Sequence, residues 1–116
     1  MAQYTIYHNP RCSKSRQTLS ILEEHGIDPE VILYLETPPD QATLKDLLKK
    51  LGKTPRELLR SSEDAYREMN LADTGLSDEN LIKAMQKEPR LIERPIVVKG
   101  TKAVLGRPPE NVLDLI

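Results

Sequence analysis

A β-prone run, Tyr4-Thr5-Ile6-Tyr7, gives way within a few residues to a helical pattern starting near Ser13, and the only cysteine, Cys12, stands at the junction. A strand that feeds a helix through a short loop constrains the fold strongly, because it opens an α/β unit. It also shapes the chemistry of the loop. Amide N–H groups at a helix start carry partial positive charge, which favours a thiolate over a thiol. Arg11, Lys14 and Arg16 add three cations within four residues of the sulfur, and His8 lies four residues upstream. A structural cysteine more often sits in an apolar core. This polar, cationic neighbourhood points instead to a nucleophile that also attracts anions.

The rest of the chain supplies what an α/β opening needs. Ser13 is a candidate N-cap for a helix to about His25, with Leu19, Ile21 and Leu22 on its apolar side and Gly26 as its stop. Asp28-Pro29 is a turn, Val31 to Leu35 has strand length, and Thr37-Pro38-Pro39-Asp40 breaks the chain. A charged helical block follows. Thr43 to Leu51 carries a helical stripe closed by Gly52, and Thr54-Pro55 opens a helix to about Leu59 with proline at its first position. A short helix is expected from Asp64 to Met69 and another from Ser77 to about Lys87. The latter is expected without a full capping box, since Asn80 stands where Glu or Gln belongs. Pro95 to Val98 and Lys102 to Leu105 read as two strands split by a turn containing Gly100. Gly106-Arg107-Pro108-Pro109-Glu110 starts a last helix. The order β-α-β, helical block, β-β-α predicts an α/β fold, a mixed sheet with helices on its faces. One domain over residues 1–116 is expected, with a helical insertion at about 40–88.

Composition narrows the function classes. The net charge is −1, so no global basic field points to nucleic acid. With four Tyr and no Phe or Trp, stacking platforms for single strands are not expected. Apolar runs are too short to span a membrane, and the N-terminus lacks the basic and apolar regions of a signal peptide. One cysteine makes no internal disulfide, and one cysteine with two distant histidines makes no metal cluster. These readings lead to a cytoplasmic protein with no bound cofactor, no metal, no membrane and no nucleic acid, and to a monomer.

The chemistry then turns on what surrounds Cys12. A dithiol oxidoreductase needs Cys-x-x-Cys, and here the second place is Ser15, so a resolving thiol must come from outside, from glutathione or from another protein. A phosphatase loop needs Cys-x5-Arg, and position 18 is Thr18; the arginine present is Arg16. His8 either pairs with the thiolate or only fills space at a strand end. Arg60, Arg94 and Arg107 each read singly as surface charges, but Arg94-Pro95 and Gly106-Arg107-Pro108-Pro109 set two of them beside prolines. Arginine suits tetrahedral oxyanions because its planar fork binds two oxygens at once. The Arg94–Pro95 bond is a candidate for the cis form.

The segments from His8 to Arg16, from Glu93 to Ile96 and from Gly106 to Glu110 resemble signatures of the glutathione- and glutaredoxin-coupled arsenate reductase family, in its bacterial subgroup of small arsenate-reductase-like proteins. The resemblance covers nearly the whole chain. It implies a thioredoxin-like fold with a helical insertion, and Pro95 as the cis-proline of that fold. It implies Cys12 as the nucleophile, activation by His8, and Arg60, Arg94 and Arg107 as oxyanion ligands, with Ser15 and Arg16 in support. It implies arsenate as substrate, glutathione as co-substrate and glutaredoxin as partner. Two relatives of this fold stay open: a glutathione-dependent thiol reductase acting on another substrate, and a transcriptional regulator that binds RNA polymerase and often carries Cys-x-x-Cys. A non-catalytic module that docks a partner through the helical block is the remaining alternative.

Overall fold

The computed structural model describes residues 3–116. Its elements are β1 (Tyr4–His8), α1 (Ser13–Glu24), β2 (Glu30–Leu33), α2 (Gln41–Leu51), α3 (Pro55–Leu58), α4 (Asp64–Glu68), α5 (Asp78–Lys87), β3 (Ile96–Lys99) and β4 (Lys102–Leu105). Two 3₁₀ segments, Pro89–Leu91 and Pro109–Leu115, complete them. The chain divides into two compact units, one running up to Thr37 and resuming over Arg94–Ile116, the other Pro38–Glu93. Among the described residues no helix is long and apolar enough to cross a membrane.

The first unit is built on a four-stranded sheet in the order β2-β1-β3-β4. β1 pairs with β2 in parallel and with β3 antiparallel, and β3 pairs antiparallel with β4. Alternation along β1 sends Tyr4, Ile6 and His8 to one face. There Tyr4, Ile6 and Val97 pack with Leu22 of α1 and with Val112 and Leu115 of the C-terminal segment, all buried. Each such side chain contributes about 1.5–3 kcal/mol by leaving water. Tyr4 also donates its hydroxyl proton to the Leu115 carbonyl at 3.0 Å, which ties the chain end to the first strand.

Helix α1 ends as expected. Gly26, at φ 74, lets its N–H reach the Glu23 carbonyl while Ile27 N–H reaches Leu22, and Ile27 packs against the core cluster that holds Leu22. Its start differs. Cys12, not Ser13, is the N-cap: Arg16 N–H bonds the Cys12 carbonyl at 3.0 Å, and no side chain caps the helix. β2 is shorter than the apolar run predicts, because Glu36 and Thr37 N–H both turn back onto the Leu33 carbonyl. The last helix is 3₁₀ rather than α. Pro108 at its N-cap and Pro109 at its first position have no N–H donors, and the Asn111 side chain holds the Leu105 and Arg107 carbonyls at 3.1 Å each, tightening its first turn.

The second unit holds α2 to α5 and the Pro89–Leu91 turn. Asp40 caps α2 at Thr43 N–H, and Gly52, at φ 66, closes it. Thr54 and Glu57 form a capping box on α3. Ser77 and Asn80 form one on α5 as well, against the sequence expectation. The shorter Asn80 amide still reaches the Ser77 N–H at 3.1 Å, so a carbonyl oxygen does the work of a carboxylate. An antiparallel bridge, Leu59 to Ile92, joins the residue after α3 to the unit's C-terminal end.

Candidate active site

Register alone brings several loops together. Tyr7 lies opposite Ile96, Ile96 opposite Leu105, and His8 opposite Leu33. The loop after His8, the Arg94-Pro95 segment before β3, the Gly106-Arg107 segment after β4 and the turn after β2 therefore lie at one end of the sheet. In open α/β sheets, ligands gather outside strand ends of this kind.

The loop carrying Cys12 is held by its own hydrogen bonds. Cys12 N–H bonds the Asn9 carbonyl at 3.0 Å, Arg11 N–H bonds Asn9 Oδ1 at 3.0 Å, and Arg16 Nη1 bonds the Pro10 carbonyl at 2.9 Å. Cys12 is partly exposed. Since α1 has neither a side-chain cap nor an acidic residue in its first turn, its leading N–H groups keep their capacity for an anion.

His8 is buried at the end of β1, and its Nδ1 lies 2.6 Å from Ser15 Oγ, which also accepts from Asn9 N–H at 3.0 Å. Among the described residues no hydrogen bond reaches the Cys12 sulfur, so His8 meets Ser15 rather than the thiol. Burial, and then the charge of Arg16, lower the His8 pKa and hold the ring neutral. Ser15 is thus a fully buried tie between β1, the loop and α1, one helical turn beyond Cys12.

Thr18, which sequence reasoning read only as the missing phosphatase arginine, is the next buried polar residue on α1. Its hydroxyl donates to the Lys14 carbonyl at 2.8 Å and lies 3.5 Å from the Gly106 carbonyl. Gly106 N–H bonds the Pro95 carbonyl at 2.9 Å. A Cβ on Gly106 would overlap the Thr18 hydroxyl and lie 2.8 Å from Pro95 Cγ, so only glycine fits there. The available signal was spacing: Ser15, Thr18 and Leu22 share one helical face, which makes two polar residues core-facing.

The Arg94–Pro95 peptide bond is cis, and so is Arg107–Pro108, which the sequence reading did not raise. Arg94 Nε and Nη1 are buried and have no hydrogen-bond partner. Arg107 Nη1 donates toward the Arg94 carbonyl at 3.5 Å. Arg60 belongs to the second unit, where its Nη1 donates to Glu63 at 2.6 Å and its Nε to Glu93 at 2.9 Å.

Comparison with known proteins places the chain among relatives. The ArsC family model matches residues 7–115. The uncharacterized protein YfgD of Escherichia coli (strain K12) is 63% identical over 98% of this chain and 97% of its own. The arsenate reductase of Neisseria meningitidis serogroup B is 49% identical over 97% of each chain. The solved arsenate reductase from Vibrio cholerae superposes with a TM-score of 0.96 at 52% identity over the full length of both chains. The mixed sheet is the thioredoxin-like one of these structures, and the chain belongs to the ArsC family.

Proposed function

We propose that this protein is an arsenate reductase that works through the Cys12 thiolate, with glutathione and glutaredoxin as reductants. The observation that supports this most directly is Arg94, whose guanidinium nitrogens Nε and Nη1 are buried with no hydrogen-bond partner among the described residues. An unpaired buried donor is costly and calls for an explanation. A tetrahedral oxyanion would supply the missing acceptors, bound by the planar fork. Arg107 and the uncapped start of α1 would add charge from two further sides. The oxyanion role that the resemblance gives Arg60 requires arsenate to displace Glu63 or Glu93 from its guanidinium.

In this reading Cys12 Sγ attacks arsenic, an S–As bond forms, and one arsenate oxygen leaves as water or hydroxide. Arsenate and thiolate repel each other, so cations must offset that repulsion. A charge pair at about 4 Å is worth roughly 4 kcal/mol at an effective dielectric of about 20. Two guanidinium groups are of the right size, and they act most where charge develops in the transition state. Glutathione then adds to the arsenic through its thiol. Glutaredoxin reduces that species, and arsenite leaves. His8 is a positioning residue here, acting through Ser15 on the first turn of α1.

The test is arsenate-dependent NADPH oxidation coupled through glutathione, glutaredoxin and glutathione reductase. The wild-type protein is expected to turn over and Cys12→Ser to be inactive. Absence of arsenate-dependent oxidation with the wild-type protein overturns the proposal.

A further inference from the structure

β2 is an edge strand, and it and the turn that follows it carry an apolar row that the fold leaves uncovered. Val31 is 44% exposed, Leu33 36% and Leu35 37%, and they make up three of the five large exposed hydrophobics among the described residues. Register sets Val31 beside Ile6 and Leu33 beside His8. Val31 and Leu33 therefore extend the sheet face that α1 and the C-terminal segment cover over β1 and β3, out past the edge of that cover, and Leu35 follows in the turn after β2. The row runs into the Cys12 loop: one groove of about 290 Å³ is lined by His8, Asn9, Pro10, Arg11, Leu33 and Leu35, with Glu36 at its margin. An apolar strip continuous with a reactive loop is the form of an interaction site.

We propose that the Val31-Leu33-Leu35 row is the docking surface for a small dithiol protein that returns Cys12 to its thiolate. Two features select this occupant. The chain has a single cysteine, and the residue three places on is a buried serine, so both thiols needed to clear Cys12 must arrive on other molecules. Arg11, Lys14 and Arg16 are exposed on the Cys12 loop and on α1, so the complementary partner has an acidic rim around its thiol.

The step served lies beside the arsenic-bound cycle: Cys12 thiolate attacks oxidised glutathione, one glutathione leaves as thiolate, and the Cys12–glutathione disulfide that forms is cleared by thiol–disulfide exchange. A thiolate of the partner attacks the glutathione sulfur of a Cys12–glutathione disulfide. The bond between Cys12 and glutathione breaks, Cys12 leaves as the thiolate with the electron pair, and a partner–glutathione disulfide forms. The partner's second thiol then displaces glutathione as a thiol, so the partner is oxidised to its disulfide and the adduct is reduced. The inference rests on glutathione coupling as proposed above and gives that coupling a place on the surface.

The test uses full-length protein carrying the Cys12–glutathione adduct, made with oxidised glutathione and checked by intact mass. Release of the adduct is timed with a dithiol glutaredoxin as probe and, separately, with dithiothreitol. Val31→Glu/Leu35→Glu is expected to slow release by the protein about tenfold or more and to leave release by dithiothreitol unchanged. Val31→Thr/Leu35→Asn, which keeps a β-branched residue in β2 and adds no charge, is expected to slow it less. Wild-type release by the protein is also expected to fall with added salt. Equal protein-driven rates in wild type and variants overturn the proposal. So does equal slowing with dithiothreitol, a dimer in solution that the variants abolish, or failure of the adduct to form. If the wild-type protein shows no arsenate turnover yet its adduct is cleared in a row-dependent way, the arsenate reading falls and the docking surface stands.

Discussion

His8 is 6% exposed with its Nδ1 on the Ser15 hydroxyl, and its pKa lies below the ordinary 6.5 because burial, then Arg16, disfavour the charged ring. The unfolded chain therefore binds the proton more readily, and stability contributed by the neutral ring is lost as pH falls from about 6.5 through the lower folded value. Thermal melts from pH 7.5 downward are expected to show a steeper decline for wild type than for His8→Gln, which has no titrating ring; parallel declines would refute it. Arg94 makes the complementary case. Lysine keeps its charge and loses the fork, so Arg94→Lys is expected to lower arsenate kcat/KM by about tenfold or more in the coupled assay, with little change in Tm. Arg94→Met removes a cation with two buried, unpartnered nitrogens and is expected to melt at or above the wild-type temperature while losing arsenate turnover. A large loss of Tm in Arg94→Met would make the arginine structural.

Elements in this chain are set by their ends. Gly26 and Gly52 stop their helices with left-handed residues, and Thr54 and Ser77 start theirs with paired hydrogen bonds. Asn80 shows why pattern reading missed one of these: a capping box needs an oxygen within reach of the N-cap N–H, and a side-chain amide provides it. α1 is the exception, since it begins on Cys12 with no cap. What holds it instead is lateral, with Ser15 on His8 and Thr18 against Gly106. Gly106→Ala pushes a methyl into the Thr18 hydroxyl and the Pro95 ring, and about 1–3 kcal/mol of destabilisation is expected from overpacking. Chemical denaturation checks it. A Gly106→Ala protein as stable as wild type would show that the Pro95 and Thr18 segments yield freely.

For the whole molecule, a ligand that binds only the folded state stabilises it by mass action, by about 2.7 kcal/mol at a hundredfold excess over Kd. Arsenate, and sulfate or phosphate in competition with it, are therefore expected to raise the Tm of wild type and not of Arg94→Met, as thermal shift measurements would show. An equal rise in both would place the anion elsewhere. The sequence by itself determined the element order, the α/β class and the strand–loop–helix position of Cys12, because these depend on local periodicity, turn residues and neighbours in the chain; the cis bond at Pro95 was open in the residues and was implied by the family resemblance. The sequence also revealed the lack of a resolving thiol, since Ser15 is visible as a letter. It did not reveal that Ser15 is buried against His8, that Thr18 faces Gly106, that Arg94 Nε and Nη1 are buried without a hydrogen-bond partner, or that Arg60 already holds two carboxylates. Nor did the apolar run from Val31 to Leu35 announce that part of it stays exposed. Those follow from how the folded chain sets side chains against one another and against solvent, and only the tertiary structure supplies them.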